Sequence, residues 1–204
     1  FAGGTIIQAS LVAFTKDNLK ARLAYSTISQ LSYIVLGALL ANKWGIIGGG
    51  MHIAMHAFGK ITLFFGAGAI LVAAHKTEIS QMKGLGRNMP ITFGAFFLAS
   101  LSIVGLPPAG GVWSKWFLGL GTLEAGQVGL LAVLMVSSLL SLVYLLEIPL
   151  KAFFLRPDGP DAEEGIREAP RSMLLAMVIT TAGTVALFLF PDLPFQLLNL
   201  VVGP

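Results

Sequence analysis

The residues best suited to chemistry in this sequence are two histidines and a lysine within one apolar stretch. His52, His56 and Lys60 stand four residues apart, so a helix places them on one face. Imidazole gains and loses a proton near neutral pH, and an amine kept from water is a second common proton carrier. The spacing therefore indicates a stripe that relays protons. In the simpler alternative, the two histidines only hydrogen-bond neighbouring helices.

Among these residues, Lys60 is the strongest indication of a function, because of its position in the sequence. Residues 46–74 carry no other Asp, Glu, Lys or Arg, and Lys60 lies in their middle. In a membrane helix a central lysine costs about 3 kcal/mol on insertion scales, so such a residue faces protein or water. A zinc site is another interpretation of His-x-x-x-His, but residue 53 is Ile where a zinc protease has Glu, and no third ligand is near. We expect no metal and no cofactor.

A second amine, Lys115, follows a predicted break in a helix. Residues 90–122 are too long for one membrane span and too short for two, and Pro107 and Pro108 cannot donate helical hydrogen bonds. We therefore predict one discontinuous helix, of the kind that lines ion sites in transporters. The positive end of the second half-helix disfavours a further positive charge on Lys115, which suits proton release. Alternatively, the prolines form an ordinary loop and Lys115 reaches the outer surface.

The span before the histidine stripe is rich in polar residues that could line the same path. Their hydroxyl and amide groups could hold water beside the stripe, although such groups also simply join helices. Glu147, near the end of a later span, is compatible with an interfacial carboxylate or with an ion site that faces a partner, and both interpretations stay open. The candidate lining residues are Tyr25, Ser26, Ser29, Gln30 and Tyr33.

The composition indicates that membrane helices position these groups. Hydrophobic residues make up 55% of the 204 residues and charged residues only 11%, about half the charged share of a soluble domain. The net charge of +3 is scattered, which argues against a nucleic-acid partner. Cysteine is absent, so disulfides and thiolate chemistry are excluded. We predict an all-α, polytopic bundle of transmembrane helices in the lipid bilayer, with residues 1–204 as a single domain.

About six spans are predicted between short charged segments, one of them the discontinuous helix. The complete stretches approach or exceed the roughly 20 residues needed to cross a bilayer. The first is partial and lacks the basic segment of a signal peptide, so we expect the chain to begin inside a span. Pro191 and Pro194 are expected to end the last helix. The predicted spans are 1–15, 23–41, 46–74, 90–122, 128–154 and 171–190.

The two sides of this arrangement differ in basic charge, and the difference predicts orientation. Ten of the thirteen Lys and Arg residues fall on one side, Lys43 alone falls on the other, and Lys60 and Lys115 lie inside. Short loops rich in Lys and Arg stay in the cytoplasm, so we place the basic side in the cytoplasm and the protein in the plasma membrane. The basic side comprises loops 16–22, 75–89 and 151–171.

Three segments together resemble the proton-conducting, antiporter-like subunits shared by respiratory complex I, membrane-bound hydrogenases and Mrp-type cation/proton antiporters. Residues 18–34 (NLKARLAYSTISQLSYI) are similar to the family's loop-and-helix signature. Residues 51–70 (MHIAMHAFGKITLFFGAGAI) are similar to its His-x-x-x-His-x-x-x-Lys helix, and residues 102–116 (SIVGLPPAGGVWSKW) to its broken helix. The resemblance is strong over most of residues 1–122, and these segments look most like the D-type subunits of Mrp antiporters.

The resemblance implies a fourteen-span fold of two inverted five-helix repeats, in which this chain is similar to the ninth to the fourteenth span. It implies that Lys60 is the central relay lysine and that His52 and His56 link it toward the first half. It also implies that Lys115 is the terminal lysine of an outward half-channel. The family's first-half glutamate and its partner lysine have no counterpart in these residues, so we expect that the chain alone does not conduct.

Three functions are compatible with these features. The first is a membrane subunit of a multisubunit Na⁺/H⁺ antiporter, a transporter subunit rather than an enzyme, in which sodium is exchanged elsewhere in the complex. The second is a proton-pumping, non-catalytic subunit of a redox complex such as an NADH:quinone oxidoreductase or a membrane-bound hydrogenase. The third is a purely structural scaffold. The first two functions require other membrane subunits as partners, and any redox cofactor would lie in those partners.

Overall fold

The computed structural model describes residues 1–156 and 165–203, so the middle of the predicted loop 151–171 lies outside the described residues. The described chain is helical, with short connections and a 3-10 turn at Ile79–Met82 before α4. The helices are α1 (Ala2–Thr15), α2 (Leu19–Leu40), α3 (Lys43–Ala74), α4 (Leu85–Asn88), α5 (Pro90–Val104), α6 (Gly111–Glu124), α7 (Val128–Phe154), α8 (Arg171–Leu189) and α9 (Asp192–Val202).

Four helices, α2, α3, α7 and α8, are long and apolar enough to cross a membrane. The 14-residue α1 and the pair α5 and α6 occupy the other two predicted spans. Large apolar side chains such as Leu39, Val136 and Leu139 are exposed on the outside of the bundle, as expected of helices that face lipid. The prediction of an all-α bundle of transmembrane helices is confirmed.

The longest helix, α3, lies at the centre of the bundle. Its 32 residues pack against α2, α5, α6 and α8. Glycines allow the close approach: Gly49 lies against Gly37 of α2, and a Cβ on Gly48 would lie 2.5 Å from the main-chain nitrogen of Leu118 in α6. Small residues at such contacts are typical of associated membrane helices. This packing places Lys60 in the interior of the bundle rather than against lipid.

Asn42 fixes the turn between α2 and α3. Its Oδ1 atom accepts a hydrogen bond of 2.8 Å from the main-chain nitrogen of Gly45 and so caps the start of α3. Its Nδ2 atom donates a second hydrogen bond of 2.8 Å to the carbonyl oxygen of Gly121, near the end of α6. The turn therefore holds α3 and the far end of α6 together.

The predicted discontinuous helix is formed by α5 and α6. Gly105 caps the end of α5 with a φ of 90°, and α6 begins at Gly111, after Pro107 and Pro108. The start of α6 remains close to α5, because a Cβ on Gly111 would overlap the carbonyl oxygen of Ser102. The structure confirms the break. It leaves carbonyl groups at the end of α5 without the partners that a continuous helix would supply.

One predicted helix boundary is wrong. We expected Pro191 and Pro194 to end the last helix, and α8 does end at Leu189, but α9 follows it with Pro194 inside its first turn. Proline is tolerated there because the first N–H groups of a helix have no acceptor within the helix.

The predicted loop 16–22 is shorter in the structure. Asn18 accepts a hydrogen bond from the main-chain nitrogen of Ala21 and caps α2, so Arg22 lies within that helix and is buried. The remaining residues 16–18 meet the loop 75–89 through a main-chain hydrogen bond of 2.9 Å from Ile79 N to Asp17 O. We call the part of the bundle formed by residues 16–18 and 75–89 the basic end.

Candidate functional site

Lys60 is held in the interior of the bundle by α2. The residue is 4% exposed, and its Nζ atom donates hydrogen bonds to Ser26 Oγ at 2.6 Å and to the carbonyl oxygen of Leu23 at 3.3 Å. Both acceptors are neutral. The amine is therefore able to release its proton without leaving a carboxylate unpaired in the interior.

The two predicted histidines continue from Lys60 along the same face of α3. His52 and His56 are 1% and 8% exposed, and their ring centroids are 5.8 Å apart at an angle of 22°. His52 Nδ1 lies 2.9 Å from Ser114 Oγ in α6. Within the described part of the chain, the Nε2 atoms of both rings are buried without a protein hydrogen-bond partner. Each imidazole thus keeps one nitrogen free for proton exchange.

Lys115 lies in the first turns of α6, and its side chain folds back toward α5. Its Nζ atom donates hydrogen bonds of 2.9 Å to the carbonyl oxygen of Val104 and of 2.9 Å to Ser138 Oγ in α7. Val104 ends α5, where the helix dipole is negative. From sequence we expected the amine to lie under the positive end of α6. In the structure Gly105 leaves room for the side chain to reach the opposite dipole end instead.

Tyr33 of α2 joins the two parts of the site. Its ring stacks on His52, with centroids 5.4 Å apart and an angle of 15°. Lys115 Nζ also lies 5.0 Å from the centroid of the Tyr33 ring, which is a cation–π geometry. Lys60, His56, His52, Tyr33 and Lys115 therefore follow one another through the interior, and we call them the lysine–histidine row.

A cavity of about 290 Å³ borders the Lys115 end of this row. Its lining is mostly apolar, with Lys115 and Ser138 as the polar side chains, and it extends to Met135 and Leu139, which are exposed on α7. A cavity of this volume has room for several water molecules next to the polar side chains of Lys115 and Ser138. The terminal amine therefore borders an open space between α5, α6 and α7.

The predicted lining residues of α2 take different positions. Ser26 and Tyr33 contact the two lysines. Ser29 joins α2 to α1 through a serine–serine hydrogen bond of 2.8 Å. Gln30 is fully buried, and neither polar atom of its side chain has a partner among residues 1–156 and 165–203. Tyr25 lies apart from the row, at the basic end, where a lysine ammonium is 5.6 Å from its ring.

A polar face of α7 that contacts α2 was missed from the sequence. It contains Ser137, Ser141, Tyr144 and Glu147, and Tyr144 donates a hydrogen bond of 3.0 Å to Ser26 Oγ. Glu147, whose role stayed open, accepts a charged hydrogen bond of 2.6 Å from an arginine of α2. The spacing of four, three and three residues is the signal that could have identified this face.

The chemistry that these contacts allow is proton transfer. Among the described residues, no group of three or more His, Cys, Asp or Glu side chains is placed to hold a metal ion. The groups that do meet are amines, imidazoles and hydroxyls, which exchange protons with one another and with water.

The sequence of residues 1–141 matches the family described as NADH:quinone oxidoreductase/Mrp antiporter, transmembrane. This match covers more than half of the chain, and the protein belongs to this family. The fold and the site thus define a membrane-embedded, antiporter-like subunit. The predicted family resemblance is confirmed at this level.

Two curated relatives are N subunits of redox enzymes. NADH-quinone oxidoreductase subunit N of Desulforudis audaxviator is 39% identical over 201 residues, which cover 94% of this chain and 40% of that protein. F(420)H(2) dehydrogenase subunit N of Methanosarcina mazei is 28% identical over 200 residues, which cover 94% of this chain and 40% of that protein. The chain thus spans about 40% of the length of these relatives. The narrower likeness to the D-type subunits of Mrp antiporters stays a prediction.

Solved structures from three kinds of assembly share the fold. A chain of the Mrp complex from Dietzia sp. DQ12-45-1b superposes with a TM-score of 0.90 at 25% identity, covering 98% of this chain and 45% of its own length. A chain of the membrane-bound sulfane sulfur reductase, an archaeal respiratory membrane complex, gives 0.89 at 30% identity, with 99% and 33% covered. A chain of respiratory complex I from Thermus thermophilus gives 0.83 at 21% identity and shows the fold alone, with 100% and 44% covered.

Proposed function

We propose that this protein relays protons within a membrane through the lysine–histidine row. The observation that supports the proposal best is the succession of a buried amine, two buried imidazoles and a half-buried amine, with neutral oxygens as the acceptors of both amines. Ionisable side chains inside a membrane are expensive and are retained mainly along ion or proton paths. A structural scaffold has no need of this arrangement.

The relay proceeds from Lys60 toward Lys115. Lys60 passes a proton to His56, which lies one helical turn away, His56 passes one to His52, and His52 passes one through water to the neutral amine of Lys115. Each imidazole accepts a proton on one nitrogen and releases another from the second nitrogen, so it returns to its original charge. The face of the Tyr33 ring stabilises the positive charge that arrives at Lys115. Lys115 then releases one proton toward the adjoining cavity for each proton that entered at Lys60.

The orientation of the relay follows from the loop charges. We place the basic end in the cytoplasm because short loops rich in Lys and Arg are retained there. With this orientation, α6 runs from the break toward the outer surface, and Lys115 is the terminal amine on the outward side. The plasma membrane is the location that fits such a subunit.

A redox complex is the assembly that we favour. The curated relatives that support it are N subunits of an NADH-quinone oxidoreductase, at 39% identity, and of an F(420)H(2) dehydrogenase. In such a complex this protein would be a non-catalytic subunit. Electron transfer in partner subunits would drive protons through the row, and other membrane subunits would adjoin it.

A Na⁺/H⁺ antiporter is the second candidate assembly. It is supported by the TM-score of 0.90 against a chain of an Mrp complex, over 98% of this chain. Here the same proton relay would be coupled to sodium movement through partner subunits. Proton movement that depends on sodium and needs no electron donor would favour this candidate over the first.

Transport by the complete complex in membrane vesicles tests the relay. We expect Lys60→Ala and Lys115→Ala each to lower proton movement at least tenfold, since a positioned proton carrier contributes about a hundredfold or more. Lys60→Arg keeps the charge but cannot exchange protons, so it should also fail. Lys20→Ala, at an exposed position of α2, is the matched control. Normal transport by Lys60→Ala or by Lys115→Ala would refute the proposed function.

A further inference from the structure

A second polar row lies between α2 and α7, outside the lysine–histidine row. On α7, Ser137, Ser141, Tyr144 and Glu147 are separated by four, three and three residues, so they share one face of the helix. The first three are fully buried. Polar groups inside a membrane protein need hydrogen-bond partners, and α2 supplies them on the opposite side of the contact.

Tyr144 connects this face to the central amine. Its hydroxyl donates a hydrogen bond of 3.0 Å to Ser26 Oγ, and the same oxygen accepts the hydrogen bond of 2.6 Å from Lys60 Nζ. The Ser141 hydroxyl lies 3.0 Å from the Tyr144 hydroxyl on its other side. The phenol of Tyr144 is thus only two hydrogen bonds away from Lys60.

An ion pair ends this row toward the basic end. Arg22 Nη1 donates to Glu147 Oε2 at 2.6 Å and to the carbonyl oxygen of Tyr144 at 2.9 Å, and Arg22 Nε donates to the carbonyl oxygen of Lys16 at 2.7 Å. Lys151 Nζ lies 2.6 Å from Glu147 Oε1. The Arg22 side chain is 6% exposed, whereas that of Glu147 is 34% exposed. Glu147 is therefore the member of this row that water reaches, and Arg22 links it to the buried members.

Fastening α2 to α7 does not account for this arrangement by itself. The pair of Arg22 and Glu147 would serve that purpose with any bulky apolar side chain at position 144. Instead, the hydroxyl at position 144 bonds to the very oxygen that accepts from Lys60. A partly exposed carboxylate one helical turn along α7 from Tyr144 is the kind of group that a proton path from the surface requires.

We infer that the row between α2 and α7 is a second proton path, which supplies Lys60 from the basic end. The inference rests on the proposed function, because Lys60 is its acceptor. Glu147 takes up a proton and passes it through water to the Tyr144 hydroxyl. Tyr144 gives its own proton to Ser26, and Ser26 gives its own to the neutral amine of Lys60. Each hydroxyl ends with the proton count with which it began, and one O–H bond at Glu147 is exchanged for one N–H bond at Lys60.

Arg22 is a positioning residue in this path. Its Nη1 atom donates to the unprotonated carboxylate of Glu147 and to the carbonyl oxygen of Tyr144, so the carboxylate returns to the same place after each transfer. The charged groups around Glu147 are Arg22 on α2 and Lys151 on α7, both cationic, and both favour the return of the carboxylate to its charged form.

Proton transport by the complete complex in vesicles tests this path with two single substitutions. Tyr144→Phe removes only the hydroxyl, and Glu147→Gln removes only the acid. We expect each to lower transport about tenfold, less than a lost amine, because water partly replaces a hydroxyl or a carboxyl. Formate, a small weak acid, should restore transport to Glu147→Gln and leave Tyr144→Phe unchanged. Ser100→Ala, which removes another buried hydroxyl that bonds within its own helix, is the matched control and should transport normally.

A double variant separates the path from a structural role. Arg22→Met combined with Glu147→Leu replaces the ion pair by apolar side chains, a change that typically keeps or improves stability. If the pair only fastens helices, this assembled double variant transports protons normally, and the inference is overturned. If Glu147 donates protons, the double variant stays as slow as Glu147→Gln.

The remaining outcomes distinguish the two proposals. Normal transport by Tyr144→Phe and Glu147→Gln, together with a block in Lys60→Ala, would overturn the second path and leave the proposed function standing. Normal transport by Lys60→Ala would overturn both. Slow transport by both single variants, with rescue by formate confined to Glu147→Gln, supports the path.

Discussion

The amine of Lys115 donates a hydrogen bond of 2.9 Å to the carbonyl oxygen of Val104, across the break between α5 and α6. A break in a helix thus provides its own acceptor for the lysine that follows it, because the carbonyl groups that end α5 have no partner further along the chain. The charge on the amine and the negative end of the α5 dipole stabilise each other. The hydrogen bond between Lys115 and Val104 depends on Gly105, the small residue that follows Val104.

Gly105→Ala should disturb this contact and lower proton transport several-fold. Gly105 has a φ of 90°, and an added Cβ would lie 2.7 Å from Lys115 Cδ. The left-handed backbone alone costs a residue with a side chain about 1–2 kcal/mol. Transport by the complex, together with its thermal midpoint, measures both effects. Gly94→Ala is the matched control, because a Cβ at that position of α5 meets nothing within 4 Å. Equal behaviour of the two variants would contradict the prediction.

Tyr33→Leu should slow proton transport, whereas Tyr33→Phe should leave it nearly normal. The ring stacks on His52 and lies beneath the Lys115 ammonium, and phenylalanine keeps both contacts. Such a cation–π contact contributes about 0.5–2 kcal/mol, so its loss lowers the relevant rate by roughly two- to thirtyfold. The hydroxyl that Tyr33→Phe removes donates a long hydrogen bond of 3.3 Å to the carbonyl oxygen of Leu134, and the two ring contacts do not depend on it. Initial rates of proton uptake by vesicles measure the difference. A larger defect in Tyr33→Phe than in Tyr33→Leu would show that the hydroxyl, and not the ring, is required.

His52→Phe should block the row between its two amines. Phenylalanine preserves the ring stack with Tyr33 and His56 but has no nitrogen to carry a proton, so we expect transport to fall about a hundredfold. The measurement is the transport rate relative to the amount of assembled complex. His75→Asn serves as the control, because this exposed histidine ends α3 in a left-handed conformation that asparagine adopts readily. Full activity of His52→Phe would mean that protons bypass the imidazole.

Gly48→Ala should weaken the packing of α3 on α6. Its Cβ would lie 2.5 Å from the main-chain nitrogen of Leu118, and a main chain cannot rotate away as a side chain does. Overpacking at such contacts costs about 1–3 kcal/mol. The thermal midpoint of the purified complex should fall, while Gly129→Ala on α7, where a Cβ meets nothing within 4 Å, should leave it unchanged or raise it. An unchanged midpoint for Gly48→Ala would indicate that the helices separate easily at this point.

The parts of the site that could be predicted from sequence were those with an energetic anomaly. Lys60 stands out because an isolated charge in an apolar stretch is expensive, and Pro107 and Pro108 stand out because they cannot continue a helix. Spacing then brought His52 and His56 to the same face. Each of these features lies within one helix, so it can be recognised from the sequence without knowing how the helices pack.

The parts that could not be predicted depend on which helix faces meet. Serine and tyrosine are ordinary residues in membrane helices, and nothing in the sequence pairs Ser26 with Tyr144, 118 residues later. Glu147 stayed open for the same reason, since its partner Arg22 was expected in a loop and lies in α2 instead. Such contacts follow from tertiary packing, which local patterns do not specify.

The glycines of α6 have a consequence for how the site works. Gly111 fits against the carbonyl oxygen of Ser102, and Gly121 fits against the main chain of Gly45, so this half-helix is clamped at both tips. A half-helix that is held at both ends neither tilts nor slides freely. In the proposed relay, we therefore expect the flexible four-carbon side chain of Lys115 to be the part that moves at the end of the row, while the helices around it stay in place.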